Sequence, residues 1–115
     1  MTEQTHLGWF LTNTNLPDYI TSCAQSALRG QTPAPLREYS FAFDEIAKRI
    51  ALKAEVEREL TENEREMLAV TETEIYSDFA DCTLVETEVV VVPLGQPLRP
   101  LRGGVAYLRE GERNL

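Results

Sequence analysis

The chain is poor in the side chains that most often do chemistry: 115 residues contain two cysteines, Cys23 and Cys82, and a single histidine, His6. There is no C-x-x-C, and these three residues do not supply the clustered ligands of a zinc site. The cysteines read as buried free thiols, and the histidine as the start of a strand; a disulfide would need the two Cα atoms within about 7 Å. One imidazole outside any G-x-S-x-G setting also leaves no recognisable Ser-His-Asp arrangement. Glycine is sparse, and the sole pair, Gly103-Gly104, precedes a strand and not a helix. With no G-x-x-x-x-G-K, nothing in the chain is built to cradle a phosphate. Long apolar runs are missing too: the longest aliphatic stretch, Val89 to Val92, is far too short to span a bilayer, and MTEQTHLGWFLTNTN does not read as a secretion signal. The expectation is one cytoplasmic domain over residues 1–115 with no membrane contact, cofactor, metal or catalytic activity.

What the chain has in excess is acid. The net charge is −8, and it is unevenly spread. Residues 44–88 carry 14 acids against five bases, whereas residues 89–115 carry two acids against four arginines. Such a field disfavours direct contact with nucleic acid or an anionic membrane and favours a basic partner reached by electrostatic steering.

Hydrophobic spacing predicts a short strand at residues 7–12 (LGWFLT) and a helix at 17–29, opened by Pro17 and Asp18 and closed by Arg29-Gly30. After a proline-containing loop at 31–37, Phe43, Ile46, Ala47, Ile50, Ala51 and Ala54 recur as the inner face of a second helix running from Ser40 to about Leu60. Thr61-Glu62-Asn63-Glu64 has the form of a capping box, which starts a third helix at Glu62. From Thr83 the period becomes two, giving a strand through Val92, and Val105–Arg109 reads as its antiparallel partner across a Pro/Gly/Arg loop at 93–104. The tail, residues 110–115, is expected to fray. These elements predict an α+β domain in β-α-α-α-β-β order: a small antiparallel sheet of about three strands, packed on one face by helices.

Two features are candidate binding elements. The first is an acidic row, Glu55, Glu59, Glu62 and Glu66 if the two helices run on continuously, followed by Glu72, Glu74, Asp78 and Asp81. Carboxylates repeated along a rod can imitate the phosphates of a nucleic acid and compete for a Lys/Arg groove. The second is the loop Pro97-Leu98-Arg99-Pro100-Leu101-Arg102. Its prolines keep it from extending the sheet, and Arg99 and Arg102 are expected to fold back on the acidic helices or to meet an acidic patch on a partner.

The favoured reading is a small non-catalytic binding protein that inhibits a basic protein or nucleic-acid-binding complex by covering its basic surface. In size and charge the chain resembles small acidic anti-defence proteins of bacterial viruses, anti-CRISPR and DNA-mimic proteins among them, although the resemblance covers no motif. Two alternatives stand beside it. One is an immunity or antitoxin protein directed at a basic nuclease. The other is a phage assembly protein that self-associates through the valine strand and the Pro/Arg loop, as a homodimer formed by the strand around Val90 and Val92.

Overall fold

The computed structural model describes residues 16–79 and 84–112. Helix α1 (Leu16–Leu28) turns Leu16, Ile20, Cys23, Ala24, Ala27 and Leu28 inward, the spacing that its sequence predicts. It ends where Gly30 takes a left-handed conformation (φ +79°), while the Thr32 hydroxyl and the Gln31 N–H both donate to the freed carbonyl of Leu28. The strand expected at 7–12 lies outside the described residues.

The largest departure from expectation falls at residues 36–56, which form an antiparallel hairpin and not a helix: β1 (Leu36–Asp44) and β2 (Arg49–Val56). Apolar residues in this stretch satisfy two periods at once. Phe43, Ile46, Ala47 and Ile50 suit a helix, but Tyr39, Phe41, Phe43, Ile50, Leu52, Ala54 and Val56 alternate as strands do. The second set prevails because it puts aromatic and β-branched side chains on one pleated face, and because Asp44 builds the turn: its Oδ1 accepts from the N–H groups of Ile46 and Ala47, each at 3.0 Å. Ile46, counted in the helical face, stands at the turn tip and is 96% exposed.

Helix α2 (Glu62–Ser77) begins with the capping box expected from its sequence: the Thr61 hydroxyl accepts from the Glu64 N–H and the Glu64 carboxylate from the Thr61 N–H. It buries Leu68, Thr71 and Ile75. As the crossover from β2, it sets β3 (Leu84–Val91) parallel to β2, with Arg49 opposite Leu84 and Val56 opposite Val91. The last strand, β4 (Gly104–Leu108), does not pair with β3 as expected; it pairs antiparallel with β1. The sheet is therefore mixed and four-stranded, ordered β3-β2-β1-β4, with two helices among the described residues where three were expected.

Leu36, Tyr39, Phe41, Ile50, Leu52, Ala54, Val56 and Val85 form the core with α1 and α2. Gly103 and Gly104 let β4 lie against β1: a Cβ on Gly103 would come within 2.6 Å of the Phe41 carbonyl oxygen, and one on Gly104 within 2.7 Å of the Phe41 ring. Among the described residues, no helix is long and apolar enough to cross a membrane.

Candidate partner-binding surface

The sheet has helices on one face, and residues 92–103 pass over the other as a strap. This arrangement starts from one extra residue. Leu36 pairs with Val56 and Glu38 with Glu55, so Arg37 is the unmatched residue of a bulge. Its guanidinium is fully buried and grips Glu112 with two bonds, Nε to Oε2 and Nη2 to Oε1, both 2.8 Å. Nη1 donates to the carbonyls of Val92 (2.8 Å), Pro93 (3.0 Å) and Gln96 (3.1 Å). These bonds hold the chain leaving β3 in a turn and carry it toward the far edge, which is why β3 and β4 are not a hairpin. Within the tail expected to fray, Glu112 is buried, its carboxyl held below the usual carboxylate range by the bonds from Arg37. Arg109 joins Glu112 (3.3 Å) to Glu57 (2.7 Å).

Further along, the strap is tied by its backbone. The Arg99 N–H donates to Glu55 Oε2 (2.7 Å), the Lys53 ammonium to the Arg99 carbonyl (2.6 Å), and the Leu101 N–H to the Ser40 hydroxyl (2.9 Å). Beneath it, the buried cross-strand pair Glu38 and Glu55 each keeps one Oε1 without a hydrogen-bond partner. A proton held between the two carboxyls would satisfy both oxygens. Burial, then the hydrogen bond and charge of Glu55, push the Glu38 carboxyl up to about 7.

The acidic row expected from a continuous helix does not exist. Glu55 belongs to β2 and is buried under the strap, while Glu59 lies in the loop before α2, paired with Arg65 (3.2 Å). Glu62, Glu66 and Glu74 are exposed on α2, where Glu66 and Glu74 border a shallow groove with Ala69, Val70 and Thr73. Glu72 and Asp78 are half-buried on its flanks, and Asp81 lies outside the described residues. At the head of α2, Arg58 grips Glu64 through two bonds (2.9 and 3.0 Å), which with the Thr61 N–H hold its carboxyl down at about 2.

Arg99 and Arg102 are exposed, and among the described residues neither guanidinium pairs with a carboxylate. The expected fold-back on the acidic helices is corrected: the loop folds onto the sheet face opposite α2, and it does so with backbone groups. Val90 and Val92 are half-buried, while Val89 and Val91, on the helix side, are the exposed valines.

Sequence reasoning missed the pairing of Arg37 with Glu112, because a bulge leaves no periodic trace. It also left Glu86 and Glu88 out of the candidate set, although their alternation in β3 was the available signal. Both are exposed and border a hollow of about 410 Å³ with Ala51 and Leu101. Cys23 is a buried free thiol, pushed up to about 12 by burial and then by Asp78; Cys82 lies outside the described residues. Among the described residues, no group of His, Cys, Asp or Glu side chains could hold a metal ion.

A family model described as MafI2 immunity protein matches residues 17–111, which take in every element described above except Leu16 at the head of α1. The chain belongs to the MafI2 immunity protein family. No curated protein matches it. Membership sides with the immunity alternative of the sequence reading and not with phage anti-defence or assembly.

Proposed function

We propose that this immunity protein neutralises its toxin without catalysis, by covering a basic surface that the toxin uses to hold a nucleic acid. Support comes from the family match together with the excess of 14 acids over five bases in residues 44–88. Glu62, Glu66, Glu72, Glu74 and Asp78 on and beside α2, with Asp81 just beyond, supply the carboxylates. Glu62, Glu66, Glu72 and Glu74 sit on a helix whose first turn is locked by Thr61, Glu64 and Arg58, so little ordering is required of the helix on binding. Each neutralised cation on the partner would make the affinity fall as salt rises.

The test is co-expression with a toxin from the same genome, scored by growth, followed by titration of the purified pair at low and high salt. Growth is rescued by the native chain and lost with Glu66→Lys/Glu74→Lys, and the native affinity falls steeply with salt. Affinity that does not change with salt, or full rescue by the double reversal, would sink the charge-covering reading.

A further inference from the structure

The two edges of the sheet are unlike. β4 is five residues long, shifts register against β1 between Tyr39 and Ser40, and has the carbonyl of Ala106 bonded by the Gln25 side chain of α1. β3 is eight residues long, pairs with β2 without a shift in register, and contains no proline; among the described residues no strand lies on its other side. A long regular edge with no bulge, and with no strand beside it among the described residues, is a template for another strand.

Its free backbone groups can be assigned. The Val92 N–H donates to the Val56 carbonyl, so Val92, and by alternation Val90, Glu88 and Glu86, turn their backbone groups toward β2. Val85, Thr87, Val89 and Val91 therefore present theirs to the open edge. Side chains alternate across the same strand. Val89 and Val91 lie on the helix side but beyond the cover of α2, 39% and 41% exposed, whereas Glu86 and Glu88 lie on the strap side. Tyr76 of α2, 49% exposed, borders a cleft with Glu72 and Val85 at the start of the strand.

We propose that β3 is the docking edge for an extended segment of the toxin, which adds as a fifth strand with Lys or Arg side chains facing Glu86 and Glu88 and apolar side chains over Val89 and Val91. This rests on the immunity reading and adds a second contact to the charged one. The edge recognises a backbone in strand conformation, so the occupant's local structure follows from the unpaired groups. Its charge follows from the carboxylates. A second copy of this chain is the poorer occupant: a two-fold axis through the middle of β3 that keeps the sheet faces continuous sets Glu86 opposite Glu88, or Glu88 opposite itself, and like charges directly opposed destabilise a strand pair.

Val89→Pro is the discriminating variant, because it deletes an edge-facing N–H while leaving the bonds to β2 in place, a position where a strand tolerates proline. Binding to the toxin whose lethality the protein suppresses is measured for this variant and for Glu86→Lys/Glu88→Lys, alongside amide hydrogen exchange of the native protein with and without toxin. The expected result is a loss of affinity of tenfold or more in both variants, Val89→Pro retaining its thermal midpoint, with exchange slowed at Val85, Thr87, Val89 and Val91. Unchanged exchange at those four amides overturns the inference even if Val89→Pro fails to fold. Native-like affinity in both variants while Glu66→Lys/Glu74→Lys is defective removes the edge but keeps the charge-covering function. Failure of the native chain to bind or suppress any toxin from its genome removes both.

Discussion

Arg37 and Glu112 are separated by most of the chain, yet they meet in a buried two-pronged ion pair with both arms at 2.8 Å. The same guanidinium holds three carbonyls of the segment leaving β3, so one side chain joins β1, the strap and the tail. A buried charge pair is no guarantee of stability, but losing one member leaves the other uncompensated.

Arg37→Ala strands Glu112 with Arg109 alone and frees the carbonyls of Val92, Pro93 and Gln96. The expected cost is about 3–5 kcal/mol in chemical denaturation. Glu112→Gln leaves the buried guanidinium without its counter-charge and sets an amide NH2 against one of its N–H groups, so a cost of the same order, about 3–5 kcal/mol, is expected. Equal and negligible losses in the two variants would show that the pair does not hold the strap.

Glu38, packed against Glu55, makes stability depend on pH in an unusual direction. In the folded protein the Glu38 carboxyl titrates at about 7, above its value in an unfolded chain, facing Glu55 and more distantly Glu112, with Lys53 as the opposing cation. Its contribution is complete below the unfolded value and is lost as pH rises through about 4.5 to 7. Glu64, held down at about 2, and Glu112, also held low, act oppositely and lose their contribution as pH falls below the unfolded value. From these groups the thermal midpoint is expected to peak at about pH 4–5 and to decline toward neutrality. Glu38→Gln, whose amide can donate permanently to Glu55, should flatten that decline; a decline of native size in this variant would place its source elsewhere.

Gly103→Ala and Gly104→Ala test the approach of β4 to β1. The new Cβ atoms meet the Phe41 backbone oxygen at 2.6 Å and the Phe41 ring at 2.7 Å, and Phe41 is fully buried with no room to retreat. Each is expected to cost about 1–3 kcal/mol, with Gly103→Ala the worse because backbone cannot rotate away. Gly95→Ala, with nothing nearby, bears only the left-handed conformation at φ +91° and should cost about 1 kcal/mol.

Thr61→Ala removes the hydroxyl that accepts from the Glu64 N–H. A loss of about 1 kcal/mol is expected, with faster amide exchange confined to the first turn of α2. Exchange that rises across the sheet instead would mean the cap supports more than its own helix.

Both described helices were legible in the sequence because their signals are local. Pro17 and Asp18 open α1, Gly30 closes it, and Thr61 and Glu64 start α2, all within a few residues of the bonds they make. Residues 36–56 were not legible, since Phe43 and Ile50 fit a helical and a strand period equally, and only the cross-strand partners Tyr39–Ala54 and Phe41–Leu52 decide between them. The acidic set shows the same division. Glu62, Glu66 and Glu74 are exposed as read, while Glu55 is buried beneath a strap whose course depends on Arg37.

By itself, then, the sequence determined both ends of α1, the start of α2, the strand character of residues 84–91 and the excess of acid, because each arises from neighbours along the chain. Only the tertiary structure decided which strands pair, that no strand among the described residues lies beyond β3, and that the Pro/Arg loop crosses the sheet. Those outcomes rest on contacts between residues far apart in sequence: Glu112 on Arg37, Arg99 on Glu55, and Gly104 against Phe41. No local period encodes them, because their energy appears only once the chain has closed on itself.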